Sequence, residues 1–327
     1  MKAIVYTKYG SPDVLELKEV EKPAPKDNEV LIKVRAASVN PLDWHFMRGK
    51  PLFMRLMGAG LLKPKNKILG VDIAGRVETV GRNVKQFHPG DEVFGGGKFL
   101  GGFAEYVCVS ENRLALKPSN IIFEEAASVP IAAVTALQGL RDKGEIQQGQ
   151  KVLINGAGGG VGTFAVQIAK SFGAEVTGVC STSKLDKVRS IGADQVIDYT
   201  QEDFTKNDQR YDLIFDAAAF RSILDQKRAL SPKGIYVMVG GSMARMFQVM
   251  FLRPWISMTG SKKISLMLAN INKKDLVFLK ELLETGKVVP VIDRRYPLSE
   301  VAEAIRYLEE GHARGKVIIT FERNNKT

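Results

Sequence analysis

The sequence predicts an α/β protein in which a doubly wound parallel sheet is inserted in a mostly antiparallel β domain. Three observations support this prediction. Short runs that alternate polar and apolar residues dominate as far as about Lys117. Beyond that point, apolar strands alternate with segments of helical periodicity. A glycine-rich stretch, LINGAGGGVGTFAVQIAK at residues 153–170, connects the first of these strands to a helix.

Residues 1–122 are predicted to form the first part of the antiparallel domain. Their alternating runs are EVLIKVRAASV, DIAGRVETVG, DEVFGGG and FAEYVCVS, separated by Gly, Pro, Asn and Asp. Residues 270–327 continue with two helices and then one strand, GKVIITF. Because two helices before a single strand need not extend a parallel sheet, we expect residues 270–327 to return to the first domain and complete it.

Residues 123–269 are predicted to form the parallel sheet. Six apolar strands occur there with helices between them: KVLIN, EVTGVC, QVIDY, YDLIFDAAA, GIYVMVGG and KKISLML. This alternation is typical of a sheet that carries helices on both faces and binds ligands at the carboxyl ends of its strands.

The glycine-rich stretch predicts a dinucleotide site. Glycine permits a tight turn and close approach of a ligand to the backbone, and the N–H groups at a helix start attract a pyrophosphate. Ala157 replaces the first glycine of the G-x-G-x-x-G pattern, whereas Gly159 and Gly162 are retained. A turn without a ligand is the alternative for the glycines alone, but the six-strand context favours the dinucleotide.

The end of the second parallel strand favours NADPH as the coenzyme. NAD-selective sites place an acidic residue there, about 20 residues after the glycines. This chain instead reads CSTSK at residues 180–184, and its first carboxylate is Asp186. Hydroxyl groups and a lysine suit a 2′-phosphate. A Ser or Thr helix cap followed by a solvated lysine is the alternative.

Composition limits the compartments and partners that we expect. Cys108 and Cys180 lie in predicted strands, which suits reduced thiols and a cytoplasmic location. The longest apolar-biased stretch, residues 243–258, is interrupted by charges and is shorter than the roughly 20 residues that a bilayer requires. The net charge is +11, but no dense stripe of basic and aromatic residues occurs, so we expect no nucleic-acid partner.

These features, together with YGSPDVLEL, ASVNPLDW, GVDIAGRVETVG, GDEVFG, AAVTAL and GHARGKVIITF, resemble the medium-chain dehydrogenase/reductase superfamily. Within it, the chain is similar to the zinc-independent branch of quinone oxidoreductases and enone reductases, over essentially its whole length. The resemblance implies a GroES-like substrate domain at residues 1–122 and 270–327, interrupted by a Rossmann NADPH-binding domain at residues 123–269. It also implies an active site in the cleft between the domains, and a homodimer.

The resemblance also implies that zinc is absent. Zinc-dependent members carry Cys where this chain has Asn40 and His where it has Val71, and their third ligand falls near residues 131–133, which contain no Cys or His. Catalytic zinc needs three N, S or O ligands. We therefore expect no metal, and we expect Asp43 to order the loop around Asn40.

Carried over position by position, the resemblance assigns the catalytic site to Asn40 and Asp43, with Asn40 beside the nicotinamide ring. The other cofactor positions are Thr135 near the nicotinamide half, Gly159, Gly160 and Val161 at the pyrophosphate, Ser181 and Lys184 at the 2′-phosphate, Tyr199 along the adenosine, Ala217, Gly240, Gly241 and Ser242 on the path to the nicotinamide, and Arg314. A surface arginine with no cofactor role is the alternative for Arg314.

Without zinc there is no Lewis acid to polarise an alcohol oxygen, so the acceptor must already be electrophilic. A quinone or the C=C bond of an α,β-unsaturated carbonyl accepts hydride when the protein positions it and stabilises the developing charge on oxygen. We therefore expect a small apolar electrophilic substrate, with the proton supplied by solvent or by a hydroxyl such as that of Tyr9 or Ser242.

Residues 243–261 are rich in Met, Phe and Trp, and three interpretations stay open. They line the substrate cleft, form a dimer or core element, or make peripheral contact with an acidic membrane together with neighbouring basic residues. The alternative for the whole chain is an NADPH-binding protein with a mainly non-catalytic role, such as RNA or membrane-surface interaction.

Overall fold

The computed structural model describes residues 1–52, 55, 60–97, 101–241, 245–251 and 261–321. The chain divides into two compact units. The first unit consists of Met1–Ile131, Ile271–Glu284 and Pro290–Thr327, and the second of Ala132–Asn270 and Thr285–Val289. The predicted fold class is confirmed, because the six-stranded sheet is parallel throughout and the seven-stranded sheet is mostly antiparallel. A separate two-stranded sheet is antiparallel.

Most strands and helices follow the predicted order with shifted ends. The expectation of two helices followed by one strand at residues 270–327 is wrong, because a strand, Ile292–Pro297, lies between the two helices. This strand forms the edge of its sheet and is only partly buried, so no apolar alternation indicated it. The strands are β1 Lys2–Val5, β2 Glu16–Glu19, β3 Glu29–Val39, β4 Asp72–Val80, β5 Glu92–Gly96, β6 Tyr106–Ser110, β7 Leu114–Leu116, β8 Lys151–Asn155, β9 Glu175–Cys180, β10 Gln195–Asp198, β11 Tyr211–Asp216, β12 Leu230–Met238, β13 Lys263–Leu266, β14 Ile292–Pro297 and β15 Lys316–Thr320. The α-helices are α1 Pro41–Arg48, α2 Phe123–Ser128, α3 Pro130–Leu137, α4 Gly160–Ser171, α5 Leu185–Ser190, α6 Ile223–Ala229, α7 Lys273–Glu284 and α8 Val301–Glu309.

The first unit contains a seven-stranded sheet in the order β14-β15-β3-β4-β5-β7, with β6 also paired to β3. The pairs are antiparallel except β14 with β15. The last strand lies beside β3, with Val317 opposite Val39. Apolar residues of β3 are almost fully buried, including Val30 and Ile32. Burial of each such side chain contributes about 1.5–3 kcal/mol to folding, so β3 anchors this core.

The second unit contains the six-stranded parallel sheet in the order β10-β9-β8-β11-β12-β13. Consecutive residues of its central strands, such as 152–154 and 213–215, are 0% exposed. Such continuous burial is expected when helices cover both faces of a parallel sheet. The strand order reverses between β8 and β11, and ligands bind outside the carboxyl ends of strands at such a switch point.

Residues 243–261, for which three interpretations stay open, are only partly among the described residues. Residues 242–244 and 252–260 lie outside the described residues, whereas residues 245–251 are helical. Phe247, Met250 and Phe251 on this helix are about half exposed or more. None of the helices in the described ranges combines the length and the apolar character that crossing a bilayer requires.

Candidate functional site

The glycine turn lies between β8 and α4 in the second unit. A Cβ on Gly162 would lie 2.0 Å from the carbonyl oxygen of Gly156, so only glycine lets the helix pack against the turn at this point. Gly156 itself has a φ of +84°, a backbone conformation that favours glycine. A Cβ on Gly159 would meet its nearest atom at 3.5 Å, so the turn is open at this residue.

The start of α4 suits a diphosphate. Gly159 is the N-cap and Gly160 the first helical residue. The first N–H groups of a helix have no intrahelical acceptor, and the helix dipole adds positive potential there. The predicted pyrophosphate residues Gly159, Gly160 and Val161 therefore lie together where N–H groups are available. These residues fit a dinucleotide cofactor.

The predicted 2′-phosphate residues lie at the end of β9. Ser181 precedes a short 3-10 helix, Thr182–Lys184. The aliphatic part of Lys184 packs on the glycine turn, since a Cβ on Gly158 would lie 2.7 Å from Lys184 Cδ. Tyr199 follows β10, and its N–H donates to the carbonyl of Cys180 over 3.1 Å. The tertiary structure thus places Ser181, Lys184 and Tyr199 around one corner of the sheet.

The ends of β11 and β12 approach each other closely. A Cβ on Gly240 would lie 2.8 Å from the carbonyl oxygen of Ala217. Gly241 has a φ of +119°, and a Cβ on it would lie 2.3 Å from the Cβ of Ala219. Ala217, Gly240 and Gly241 therefore lie together at the strand ends, and their role on the path to the nicotinamide stays a prediction. Ser242 lies outside the described residues.

A buried carboxylate that the sequence interpretation missed fixes these strand ends. Asp216, the last residue of β11, is 0% exposed. It accepts hydrogen bonds from the side chains of Asn155, Gln226 and Tyr236 at 2.8, 3.0 and 2.9 Å, and from the N–H groups of Ala218 and Ala219. Burial raises the pKa of Asp216, and these donors oppose the rise. Because the donors come from β8, α6 and β12 as well as the turn after β11, Asp216 links the ends of three adjacent strands.

In the first unit, Asp43 orders the chain around Asn40. Asp43 Oδ2 accepts the N–H of Asn40 at 2.8 Å, which caps helix α1, and Oδ1 accepts the N–H of Gly70 at 3.0 Å. Asp43 is 0% exposed. Burial raises its pKa to about 7, although both N–H donors favour the charged form.

The amide of Asn40 is held by three partners, two of which are distant in sequence. Its Nδ2 donates to Asp72 Oδ2 at 3.0 Å and to the carbonyl of Ser38 at 3.2 Å, and its Oδ1 accepts from Lys316 Nζ at 2.6 Å. Lys316 Nζ is also 3.5 Å from Asp72 Oδ2. Burial lowers the pKa of Lys316, and the adjacent Asp72 and Asp43 raise it. The buried pair of Asp72 and Lys316 thus fixes which way the Asn40 amide points.

Lys316 is not among the residues that the sequence predicted for the site. By the resemblance, Asp72, like Asp43, stands where the zinc-dependent members keep an acidic residue near the metal ligands. Lys316 is the one charged residue in the strand motif GKVIITF, and a charge within an apolar strand was the available signal. A buried lysine almost always needs a partner, but the sequence does not show which residue provides it.

Three further predicted residues have the following places in the structure. Thr135 lies on α3 in the second unit and is buried. Arg314 is exposed in the first unit, where its N–H donates to Asp293 over 2.9 Å. The hydroxyl of Tyr9 donates to the carbonyl of Gly60 over 2.5 Å, so its proton is already in a hydrogen bond. The roles of Thr135, Arg314 and Tyr9 stay predictions.

Two family models match the chain. An alcohol dehydrogenase GroES-like domain matches residues 26–119, and a zinc-binding dehydrogenase model matches residues 191–319. The chain is 39% identical to the tomato (Solanum lycopersicum) 2-methylene-furan-3-one reductase, over 98% of this chain and 79% of the relative. The chain belongs to the medium-chain dehydrogenase/reductase superfamily.

Two further members of the superfamily are similar to the chain over almost its whole length. The chloroplastic NADPH-dependent alkenal/one oxidoreductase of Arabidopsis thaliana is 38% identical over 98% of this chain and 79% of its own length. The solved structure of a quinone oxidoreductase from Coxiella burnetii superposes with a TM-score of 0.88 at 32% identity, over 98% of this chain and 99% of that one. As a member of this superfamily, the protein is an oxidoreductase that uses a nicotinamide cofactor. It is similar to quinone and enone reductases.

Proposed function

We propose that this protein transfers hydride from NADPH to a quinone or to the C=C bond of an α,β-unsaturated carbonyl, without a metal. The names of its relatives support the two acceptor classes, since the relatives include an alkenal/one oxidoreductase and a quinone oxidoreductase homologue. The observation that carries the metal-free proposal is the hydrogen bonding of Asn40.

The donor set around Asn40 does not suit zinc. At this position zinc-dependent members of the superfamily carry a cysteine, but here an amide uses its oxygen to accept from Lys316 and its nitrogen to donate to Asp72. Val71, at the second ligand position, has a hydrocarbon side chain. Among the described residues, no group of three or more His, Cys, Asp or Glu side chains is placed to hold a metal ion. Zinc prefers thiolate, imidazole and carboxylate ligands.

The residues of the second unit would bind the coenzyme. The N–H groups at the start of α4 would bind the diphosphate, and Lys184 would bind the 2′-phosphate. When bound, the reduced nicotinamide would supply the hydride. Asp43, Asp72 and Lys316 would keep the Asn40 side chain in one orientation, which lowers the entropic cost of positioning reactants.

Transfer of deuterium tests the reaction. With NADPH deuterated at the transferred position of C4, an enone substrate should gain deuterium on its β-carbon, because conjugation makes that carbon electrophilic. NMR of the product locates the label. A label on the carbonyl carbon, giving an allylic alcohol, would contradict the proposal.

Two controls belong with this experiment. Oxidation of simple alcohols with NADP should be slower by orders of magnitude, and dialysis against a chelator should leave enone reduction unchanged. Activity that is lost to the chelator and restored by zinc would exclude the metal-free mechanism. Tight NADPH binding without turnover of any enone, enal or quinone would instead favour a non-catalytic role.

A further inference from the structure

A carboxylate lies beside the predicted 2′-phosphate residues, and it comes from the neighbouring strand. Asp198, the last residue of β10, is opposite Cys180, the last residue of β9, in the parallel register. The hydroxyl of Thr182 donates to Asp198 Oδ2. Asp198 therefore lies against the turn that begins at Ser181, although Asp186 is the first carboxylate after β9 along the chain.

The Asp198 carboxylate is held in place by two threonines. Its Oδ1 accepts from the N–H and the hydroxyl of Thr200 at 3.0 and 2.8 Å, and its Oδ2 accepts from Thr182. An ionised carboxylate offers about four lone-pair sites. The hydroxyl and the N–H of both Thr182 and Thr200 bond to the carboxylate, so a further donor would share an oxygen with them or replace one of them.

Asp198 and Lys184 place opposite charges at the same end of β9. Burial raises the pKa of the Cys180 thiol to about 11, and the two side chains act on it in opposite directions. Lys184 lowers this pKa and Asp198 raises it. An anion bound by Lys184 would therefore also be exposed to the negative charge of Asp198.

We propose that Asp198 is a coenzyme-selectivity residue that reduces the preference for NADPH over NADH. This inference rests on the proposed function, because it concerns the same coenzyme site. The carboxylate repels a 2′-phosphate, whereas one of its oxygens can accept a 2′-hydroxyl in place of a threonine hydroxyl, as the acidic residue of NAD-selective sites does. Lys184 and Asp198 thus act against each other, and the measured selectivity reflects both.

Asp198→Asn tests the proposal with little change in shape. The asparagine oxygen can still accept from Thr200, and its amide nitrogen can donate to the Thr182 hydroxyl. The dissociation constants of NADPH and NADH are measured by coenzyme fluorescence, with no turnover required. We expect the ratio of NADH to NADPH dissociation constants to rise roughly three- to tenfold, since one exposed charge contributes modestly.

Asp186→Asn is the matched control. Asp186 lies on α5 with its side chain fully exposed, and it pairs with Arg189 at 3.0 Å. The substitution removes the same charge near the same corner, and it should leave the selectivity ratio unchanged. Lys184→Ala should shift the ratio the other way by weakening NADPH alone.

The outcomes separate this inference from the proposed function. If the unaltered protein binds coenzyme but Asp198→Asn leaves the ratio unchanged, only the selectivity role of Asp198 is overturned. The same conclusion follows if Asp186→Asn shifts the ratio equally, because the effect is then one of net charge. If the unaltered protein binds neither coenzyme, the proposed function fails as well.

Discussion

The two units bury a carboxylate in different ways. Asp72 in the first unit has a cation, Lys316, at 3.5 Å, together with uncharged donors. Asp216 in the second unit accepts five described hydrogen bonds, all from uncharged groups. Burial raises the pKa of both groups. Asp72 depends on one cation, whereas Asp216 is stabilised by several uncharged donors. Loss of one partner should therefore lower the free energy of unfolding more at Asp72 than at Asp216.

The largest expected loss of stability follows from removal of the Lys316 cation. Lys316→Met leaves Asp72 buried without its counter-charge, and breaking a buried pair in this way costs about 3–5 kcal/mol of unfolding free energy. Urea unfolding measures the loss. Combining Lys316→Met with Asp72→Asn should recover much of it, because the uncompensated charge is then gone. A loss below about 1 kcal/mol in the single variant would show that the ion is not what stabilises Asp72.

Removal of one hydrogen-bond donor to Asp216 should lower the free energy of unfolding by a smaller amount. Tyr236→Phe deletes one of the donors to Asp216 while retaining the ring, and a hydrogen bond to a charged group contributes about 1.5–3 kcal/mol. Tyr211→Phe is the matched control, because its hydroxyl bonds the uncharged Gln209 at 2.6 Å, for which about 0.5–1.5 kcal/mol is expected. Equal losses measured by urea unfolding would argue against an ionised Asp216.

Over a single pH unit, the smallest expected effect is the change in stability that the titration of Asp43 causes. Its folded pKa of about 7 lies above the value of about 4 in an unfolded chain. Between these values the folded state binds more protons, so the stability contributed by Asp43 falls as pH rises from about 4 to about 7. The slope is at most about 1.4 kcal/mol per pH unit. Asp43→Asn should flatten this part of the stability–pH curve, and an unchanged slope would assign the titration to another group.

Much of the fold and part of the site could be predicted from the sequence alone. Alternating and helical periodicity, which depend on near neighbours, predicted β3, β4, β5, β6 and β15 and all six strands of the parallel sheet, but not the short or edge strands β2, β7 and β14. The spacing of Gly159 and Gly162 after an apolar strand predicted a strand, a turn and a helix. Asn40 and Val71 could be compared with metal ligands because motif order fixes their positions. These are properties of residues close together in the chain.

The tertiary structure alone decided which distant side chains meet. Lys316 and Asn40 are 276 residues apart, and strand pairing between β15 and β3 brings them together. Asp198 reaches the end of β9 because β10 pairs beside β9 in parallel register. Asp216 accepts hydrogen bonds from side chains of β8, α6 and β12. A buried charge requires compensation, but periodicity does not identify the compensating group, because sheet order and register determine it.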